Sequence, residues 1–138
     1  MPVRRCSRRI VLTLTAAAMI FAGVTYVALE ASGVVVVETD VGGKTRSAHV
    51  WFVRENGELW LEAGHPDSPW VRDLAGATTL RLLGEGLDGA YRFSIDATAE
   101  GHERIRTALR RKYGWRDRWI DALVDLSHSR LVVLAPVE

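Results

Sequence analysis

VVVVETDVGGKTRSAHVWFVRENGELWLEA, residues 34–63, decides the fold. The run from Val34 to Thr39 is rich in β-branched residues and predicts a strand, and the two glycines that follow it favour a tight reversal. Ala48 to Arg54 predicts a second strand. Glu58 to Ala63 alternates with period two, and the short loop ENG joins it to the second strand as a hairpin. This stretch therefore predicts three consecutive antiparallel strands.

The remaining sequence supplies three more strand patterns and a helical region. Short apolar runs predict strands at Thr79 to Leu83, Ala90 to Asp96 and Leu131 to Ala135. Six short strands joined mostly by tight turns favour a small closed antiparallel barrel over an open parallel sheet. The fold class is mainly β with helices.

Two helical signals interrupt the strands. Ser68 followed by Pro69 is typical of a helix start, with a serine N-cap and proline at the first helical position. Between Glu100 and Leu126 the apolar residues recur at helical spacing, and Gly114 breaks the pattern. We expect one short helix from Ser68 and two helices in the later stretch.

The N-terminal part divides into a basic segment, residues 1–9, and an uncharged run, residues 10–29, ahead of a domain at residues 30–138. Twenty residues form about 30 Å of helix, the thickness of a membrane's hydrocarbon core. A secretory signal has a shorter apolar part and a small-x-small cleavage site, which we do not find, so an uncleaved anchor is favoured over a cleaved signal. Ser7 to Leu12 (SRRIVL) resembles a twin-arginine export signal, and a plain arginine-flanked anchor remains the alternative. With the arginines in the cytoplasm, the chain is expected to cross the cell membrane once and to place its domain outside the cytoplasm.

Composition excludes several classes of protein. Residues 30–138 hold 14 of the 18 basic residues against all 17 acidic ones, a net charge of −3, so nucleic-acid binding has no electrostatic support. Cys6 is the single cysteine, which excludes an intramolecular disulfide and a multi-cysteine metal site. The scattered histidines predict no metal site either.

One string looks like a nucleotide motif but lies in the wrong context. Gly84 to Gly89 reads G-x-G-x-x-G, yet it joins two predicted strands, whereas the dinucleotide fingerprint joins a strand to a helix. A hairpin turn is therefore the better interpretation. Since no nucleophile motif is present either, any chemistry is expected to come from a bound cofactor.

The order of several short motifs resembles a known family. Val34 to Leu74 contains an opening strand, a glycine turn ending in lysine and arginine, a hairpin, an Ala-Gly segment and a Pro-Trp helix start. In this order they resemble the flavin/deazaflavin-dependent nitroreductase and quinone reductase family of the pyridoxamine-phosphate-oxidase-like split barrels. Glu103 to Gly114 and Ser129 to Pro136 resemble the family's later helix and last strand. The resemblance covers nearly all of residues 30–138 and implies a six-stranded split β-barrel of the FMN-binding type.

The resemblance also implies a cofactor site, with a deazaflavin coenzyme as the expected ligand and FMN as the alternative. Its phosphate side comprises Lys44, Arg46 and Ser47. Residues that face, admit or enclose the ring are His49, Trp51, Ala63, Gly64, Trp70, Arg72 and Asp73. Each also has a local alternative, such as a solvated turn arginine or a tryptophan that anchors the core.

The implied function is a membrane-anchored oxidoreductase that passes hydride from the reduced cofactor to a quinone-like or nitro-aromatic acceptor. No catalytic residue is identified, and a homodimer is left open as the assembly. Two departures from the family support an alternative. The turn from Val41 to Arg46 is short for a phosphate loop, and Asp73 replaces an asparagine. The alternative is a non-catalytic split-barrel module that binds flavin, haem or lipid.

A basic stretch near the C-terminus has two interpretations. Arg104 to Arg118 contains seven basic residues and one acidic residue, Asp117, with Trp115 and Trp119 at helical spacing. It is either a lipid-contacting surface or a solvated helix face whose tryptophans pack on the barrel, and the second is favoured.

Overall fold

The structure, a computed structural model, describes residues 3–138, with side chains from Arg8 onward. The inferences about the side chains of Cys6 and of the arginines at positions 4 and 5 lie outside the described side chains. The first element, α1 (Val3–Glu30), runs through both the basic segment and the apolar run. Its part Arg8–Glu30 has a mean hydropathy of 2.1 and is long and apolar enough to cross a membrane.

Six antiparallel strands form a closed barrel with the neighbour order β1-β2-β3-β6-β5-β4. They are β1 (Val34–Val41), β2 (Lys44–Glu55), β3 (Glu58–Ala63), β4 (Thr79–Gly84), β5 (Leu87–Asp96) and β6 (Arg130–Pro136). The prediction of a six-stranded antiparallel barrel is confirmed. Residues 84–89 join β4 to β5 through a hairpin, because Glu85 and Gly86 adopt the positive φ values of a tight turn.

Three helices accompany the barrel. The short helix α2 (Pro69–Asp73) begins directly after Ser68 and continues as a 3-10 turn, Leu74–Gly76. The later helices are α3 (Ala99–Tyr113) and α4 (Trp115–Leu123), and they are separated at Gly114, whose φ is 56°. All three helices were predicted, including the break.

Alternation along β2 divides the interior into two apolar clusters. Val50 and Phe52 point into the barrel, whereas Trp51 and Val53 point outward. The outward pair packs against α3 and α4, including Ile105 and other buried residues of those helices. One strand therefore contributes to the barrel core with one face and to the helix layer with the other.

A buried ion cluster joins α3 and α4 to the barrel. Arg106 on α3 is 1% exposed, and its Nη1 donates to Oε1 of Glu62 on β3 over 2.9 Å. Its Nη2 donates to Oδ2 of Asp117 on α4, also over 2.9 Å. Burial raises the pKa of both carboxyl groups, and the guanidinium opposes this rise. Because Arg106 and Asp117 are closed off from water and Glu62 is almost so, each charge depends on the others.

The last residues of α3 are tied to β2 and to the chain that leaves α1. The hydroxyl of Tyr113 lies within hydrogen-bond distance of the carbonyl oxygens of Gly33 and Phe52, to either of which it can donate its one proton, and it accepts from the Phe52 amide. Lys112 donates its Nζ to the Phe52 carbonyl and lies 3.5 Å from the centre of the Phe52 ring. Burial of this amine lowers the pKa of Lys112 from 10.5 to about 8.

The C-terminal end of α1 is held by α4. The guanidinium of Arg116 donates to the carbonyl oxygens of Ala28, Ala31 and Ser32 over 2.9, 3.0 and 2.8 Å. Carbonyls at the end of a helix lack intrahelical partners, and a cation there also complements the helix dipole. Trp119 adds a second tie, because its Nε1 donates to Oγ1 of Thr25 over 3.1 Å.

These contacts change both interpretations of the basic stretch. Arg106 is buried and Arg116 binds the end of α1, so two of its basic residues belong to neither a solvated nor a lipid-facing surface. Trp119 contacts α1 as well as the outward apolar cluster, and Trp115 is 51% exposed. The helix alone does not reveal these partners, because they come from distant parts of the chain.

Replacing Arg106 tests the buried cluster. Arg106→Met removes the cation and leaves two buried carboxyl groups without it, so we expect the free energy of unfolding to fall by about 3–5 kcal/mol. Arg111→Met is the matched control on the same helix, because Arg111 is exposed and pairs with Glu55 at 3.2 Å. Arg111→Met should lower the free energy of unfolding by at most about 1 kcal/mol. Chemical unfolding of the full chain in detergent, followed by tryptophan fluorescence, measures both, and equal losses would contradict the cluster's role.

Lys112 provides a test by pH. Its neutral amine becomes the major form above about pH 8, so acylation should rise through that pH and then level off. Unfolding in urea exposes the amine and should move the rise to the pH of an ordinary lysine. Mass spectrometry of the full chain measures this, with Lys44 as an internal reference. A rate that climbs equally in folded and unfolded chains would contradict the partial burial of the Lys112 amine.

Candidate functional site

An open pocket lies where the end of α1 meets the barrel, and we call it the outer pocket. Its volume is about 320 Å³. Its walls come from α1, β2, β3, α2 and α4, and the lining residues are Leu29, Glu30, His49, Val50, Trp51, Glu62, Gly64, Trp70 and Ile120. The pocket therefore depends on the docking of α1 as well as on the barrel.

Two tryptophans give the outer pocket flat apolar walls. Trp51 stacks on Tyr113 with ring centres 4.4 Å apart and an angle of 15°, and its Nε1 donates to the carbonyl of Leu29 over 3.3 Å. Trp70 is almost fully buried. At Gly64 an added Cβ would meet only a Leu126 methyl carbon, at 3.7 Å. The backbone at Gly64 is therefore open to a small group.

Polar groups lie at the edge and the base of the outer pocket. Nδ1 of His49 is 2.7 Å from Oε2 of Glu30, an exposed pair that joins β2 to the end of α1. Glu62 lies beneath and is held by Arg106. The pocket thus combines apolar walls with carboxylates and an imidazole.

A second cavity, which we call the turn groove, lies at the β1–β2 turn. It has a volume of about 280 Å³ and is lined by Val41, Lys44, Thr45, Arg46 and Asp73. Nε of Arg46 donates to Oδ2 of Asp73 over 2.7 Å, and the same oxygen accepts from the buried Thr39 hydroxyl over 3.1 Å. Hydrogen bonding to Arg46 lowers the pKa of Asp73. Asp73 is therefore an anion that offsets the charge of Arg46.

The site residues inferred from the sequence fall into two groups. The turn groove brings together Lys44, Arg46 and Asp73. The outer pocket brings together His49, Trp51, Gly64 and Trp70. Ser47 and Arg72 are exposed, and Ala63 is fully buried in the barrel core. The short helix α2 contributes to both cavities, with Trp70 in one and Asp73 in the other.

Strand geometry explains this division. Arg46 and Thr39 both donate to Asp73 on the inward face of the barrel wall, whereas His49 and Trp51 reach α1 on the outward face. Residues an odd number of positions apart on a strand point to opposite faces. One continuous groove along β2 would need both sets on the same face.

Sequence reasoning missed five residues of the outer pocket, namely Leu29, Glu30, Val50, Glu62 and Ile120. For Glu62 a signal existed. Neighbouring residues of β3 point to opposite faces, and Leu61 points into the barrel, so Glu62 points outward. For Leu29 and Glu30 we find none, since their position follows from the docking of α1 on α4.

Comparisons with known proteins support the fold. No protein-family model and no curated protein sequence matches the chain. Among solved structures, it is similar to a conserved hypothetical protein from Mycobacterium tuberculosis, with a TM-score of 0.61, 17% identity, and coverage of 88% of this chain and 80% of that one. It is also similar to an FAD-binding protein from Mesorhizobium loti, with a TM-score of 0.58, 10% identity, and coverage of 85% and 89%. A third structure, a NimC/NimA family protein from Clostridium acetobutylicum, has a TM-score of 0.51, 13% identity, and coverage of 83% and 80%. At these identities the similarity shows a shared split-barrel fold.

Proposed function

We propose that the chain is a membrane-anchored oxidoreductase domain that binds a deazaflavin or a flavin. The bound cofactor would pass hydride to a quinone-like or nitro-aromatic acceptor. The observation that carries this proposal is the outer pocket, whose lining includes Trp51, Trp70 and Gly64. The similar protein from Mesorhizobium loti is FAD-binding, which gives the same fold a flavin-type ligand.

The residues of the outer pocket fit a planar ring. Trp51, Trp70 and Ile120 offer apolar contact, and Gly64 leaves room beside the backbone. His49 and Glu30 would contact the ring's polar edge. In this arrangement the protein holds the ring, orients it and excludes water, and the cofactor supplies the hydride chemistry.

The turn groove would bind the anionic tail of the cofactor. Lys44 and Arg46 are cations beside a turn that contains Gly42 and Gly43, which suits phosphate or carboxylate oxygens. Asp73 competes with such a tail for Arg46, because its carboxylate already binds that side chain. An anionic tail would therefore have to exchange places with Asp73.

The Arg46–Asp73 pair also supports the alternative function. A site whose arginine is already neutralised has less attraction for a phosphorylated cofactor. The chain would then be a non-catalytic module of the same fold that holds flavin, haem or lipid in the outer pocket. Spectra separate these ligands, since flavin, deazaflavin and haem absorb at different wavelengths.

Titration of the full chain in detergent with a deazaflavin coenzyme and with FMN tests the tail site. Arg46→Ala should weaken binding roughly ten- to a hundredfold, because a charge-assisted contact contributes about 1.5–3 kcal/mol. Asp73→Asn should tighten binding, because it frees Arg46 while keeping a side chain of the same shape. The matched control is Arg81→Ala, since Arg81 is similarly exposed and pairs with Asp88 at 2.7 Å. That variant should bind like wild type.

Two outcomes would count against these assignments. Equal affinities of wild type, Arg46→Ala and Asp73→Asn would remove the turn groove from the site. Failure of wild type to bind either cofactor would overturn the oxidoreductase proposal and favour the non-catalytic module.

The proposed location is the cell membrane, with α1 as a single span and the barrel outside the cytoplasm. Support comes from the length and apolar character of Arg8–Glu30 together with the arginines that precede the apolar run. An extracytoplasmic barrel requires that the cofactor be carried out with the folded chain or be supplied there, which suits a twin-arginine route.

Reporter fusions after Glu138 test this orientation. A β-lactamase fusion, which protects growing cells only when it is exported and can be exported folded or unfolded, should confer resistance, whereas a fusion to β-galactosidase, which is active only in the cytoplasm, should be inactive. Replacing the arginines at positions 8 and 9 with glutamate removes positive charge from the cytoplasmic side. This change should lower the fraction of molecules whose barrel lies outside the cytoplasm. Activity of the cytoplasmic reporter alone would contradict the exported location and leave the anchor intact.

A further inference from the structure

We propose that Glu62 is the proton donor of the outer pocket, and that it delivers to the acceptor a proton that the folded chain stores between Glu62 and Asp117. Under the proposed function, on which this inference rests, reduction of the acceptor needs a proton as well as a hydride. The cofactor would supply the hydride, and a carboxyl group of this chain would supply the proton.

The buried charges beneath the outer pocket are unequal in number. In the described part of the chain the buried charged residues are Arg106, Glu62 and Asp117, one cation against two carboxyl groups. Two exposed neighbours offset each other, because Nε of Arg110 lies 4.0 Å from Asp117 and Oδ1 of Asp121 lies 3.5 Å from the Arg106 guanidinium. One buried carboxylate would therefore stay uncompensated unless the pair of acids binds a proton.

The hydrogen bonds of the two acids agree with one shared proton. The Arg106 guanidinium donates to Oε1 of Glu62 and to Oδ2 of Asp117, which leaves Oε2 of Glu62 able to carry a proton. Oδ1 of Asp117 is buried and finds no hydrogen-bond partner among the described residues. Burial raises the pKa of both carboxyl groups, and Arg106 opposes this rise. The two groups therefore titrate as a pair that keeps its proton to a higher pH than ordinary carboxyl groups do.

Glu62 is the member of this pair that lines the outer pocket, and Asp117 lies behind it. Because Glu62 is only 9% exposed, a ligand that fills the pocket would meet its carboxyl group with little water nearby. The other titratable groups of the pocket, His49 and Glu30, form an exposed pair at the edge. That pair exchanges protons with water, whereas the proton at the base of the pocket is protected until a ligand reaches it.

The proton step balances the hydride step. A quinone that has accepted a hydride is a hydroquinone monoanion, and its charged oxygen takes the proton from the Glu62 carboxyl group. A phenol oxygen keeps its proton up to about pH 10, far above a carboxyl group, so this transfer is downhill. The products are a neutral hydroquinone and the Glu62 carboxylate.

The Glu62 carboxylate regains its proton after the product leaves, because the outer pocket is open to water. The Ser129 hydroxyl lies beside the same carboxyl group and opposes the rise in its pKa. Oγ of Ser129 is 3.0 Å from Nδ1 of His102, a half-buried residue of α3. Polar groups therefore face Glu62 from the helix layer as well as from the pocket.

Infrared spectroscopy of the full chain in maltoside detergent, without cofactor, tests the stored proton. A protonated carboxyl group has a carbonyl stretch that lies apart from the carboxylate bands, and we expect wild type to show it at neutral pH. Glu62→Gln and Asp117→Asn should both lack this band, because each variant leaves one buried carboxylate to match Arg106. The matched control is Glu55→Gln, which should keep the band, since Glu55 pairs with the exposed Arg111 at 3.2 Å.

Reduction of menadione, a quinone, by the reduced cofactor that wild type binds tests delivery of the proton. Glu62→Gln should lower kcat about a hundredfold at every pH, because it removes the general acid. Asp117→Asn should lower kcat at neutral pH and recover it on acidification, because Glu62, then paired one-to-one with Arg106, binds a proton only at lower pH. Glu55→Gln should turn over like wild type. Circular dichroism checks that each variant is folded.

The outcomes separate this inference from the proposed function. Turnover by a wild-type chain that lacks the protonated-carboxyl band would overturn the stored proton and leave the oxidoreductase in place. Glu62→Gln with the kcat of the Glu55→Gln control, or Asp117→Asn that acid does not restore, would overturn Glu62 as the donor. A chain that shows the band but reduces no acceptor would overturn the oxidoreductase, and proton delivery with it.

Discussion

The guanidinium of Arg106, buried between the carboxylates of Glu62 and Asp117, is the interaction on which the arrangement outside the barrel depends. It joins β3, α3 and α4, and burial makes each charge costly without the others. The position of α4 then decides where Arg116 and Trp119 can hold the end of α1. Through these contacts, the buried ion cluster beneath the outer pocket also positions α4, which lines the pocket with Ile120.

A second constraint is the two-residue period of β2. It allows one strand to serve both the barrel core and the helix layer, and it also separates cations from aromatic rings along the site. A cofactor that used both cavities would have to pass from the outer face to the barrel's end. The short helix α2 is placed for this, because Trp70 lines the outer pocket and Asp73 lines the turn groove.

Local signals explain why much of the fold could be predicted from the sequence. Strand alternation, the glycine turns, the Ser68-Pro69 helix start and the break at Gly114 each act within a few residues. The division of the site follows from alternation as well, so the opposite faces of Arg46 and His49 could have been inferred. The pair between Arg46 and Asp73 could not, because it joins residues 27 positions apart through the closure of the barrel. The docking of α1 on α4 is even harder to predict from the sequence, since Arg116 lies 88 positions from Ala28.

The contacts at the end of α1 argue that this helix is more than a tether. Without it, Arg116 would lose three carbonyl acceptors, the indole N–H of Trp51 would lose the Leu29 carbonyl, and His49 would lose Glu30. Each of these losses falls on the outer pocket or on the helix that supports it. A buried or half-buried donor without a partner costs free energy, so the surrounding side chains would rearrange. The helix α1 is therefore part of the candidate site, and the shape of that site depends on how α1 docks on α4.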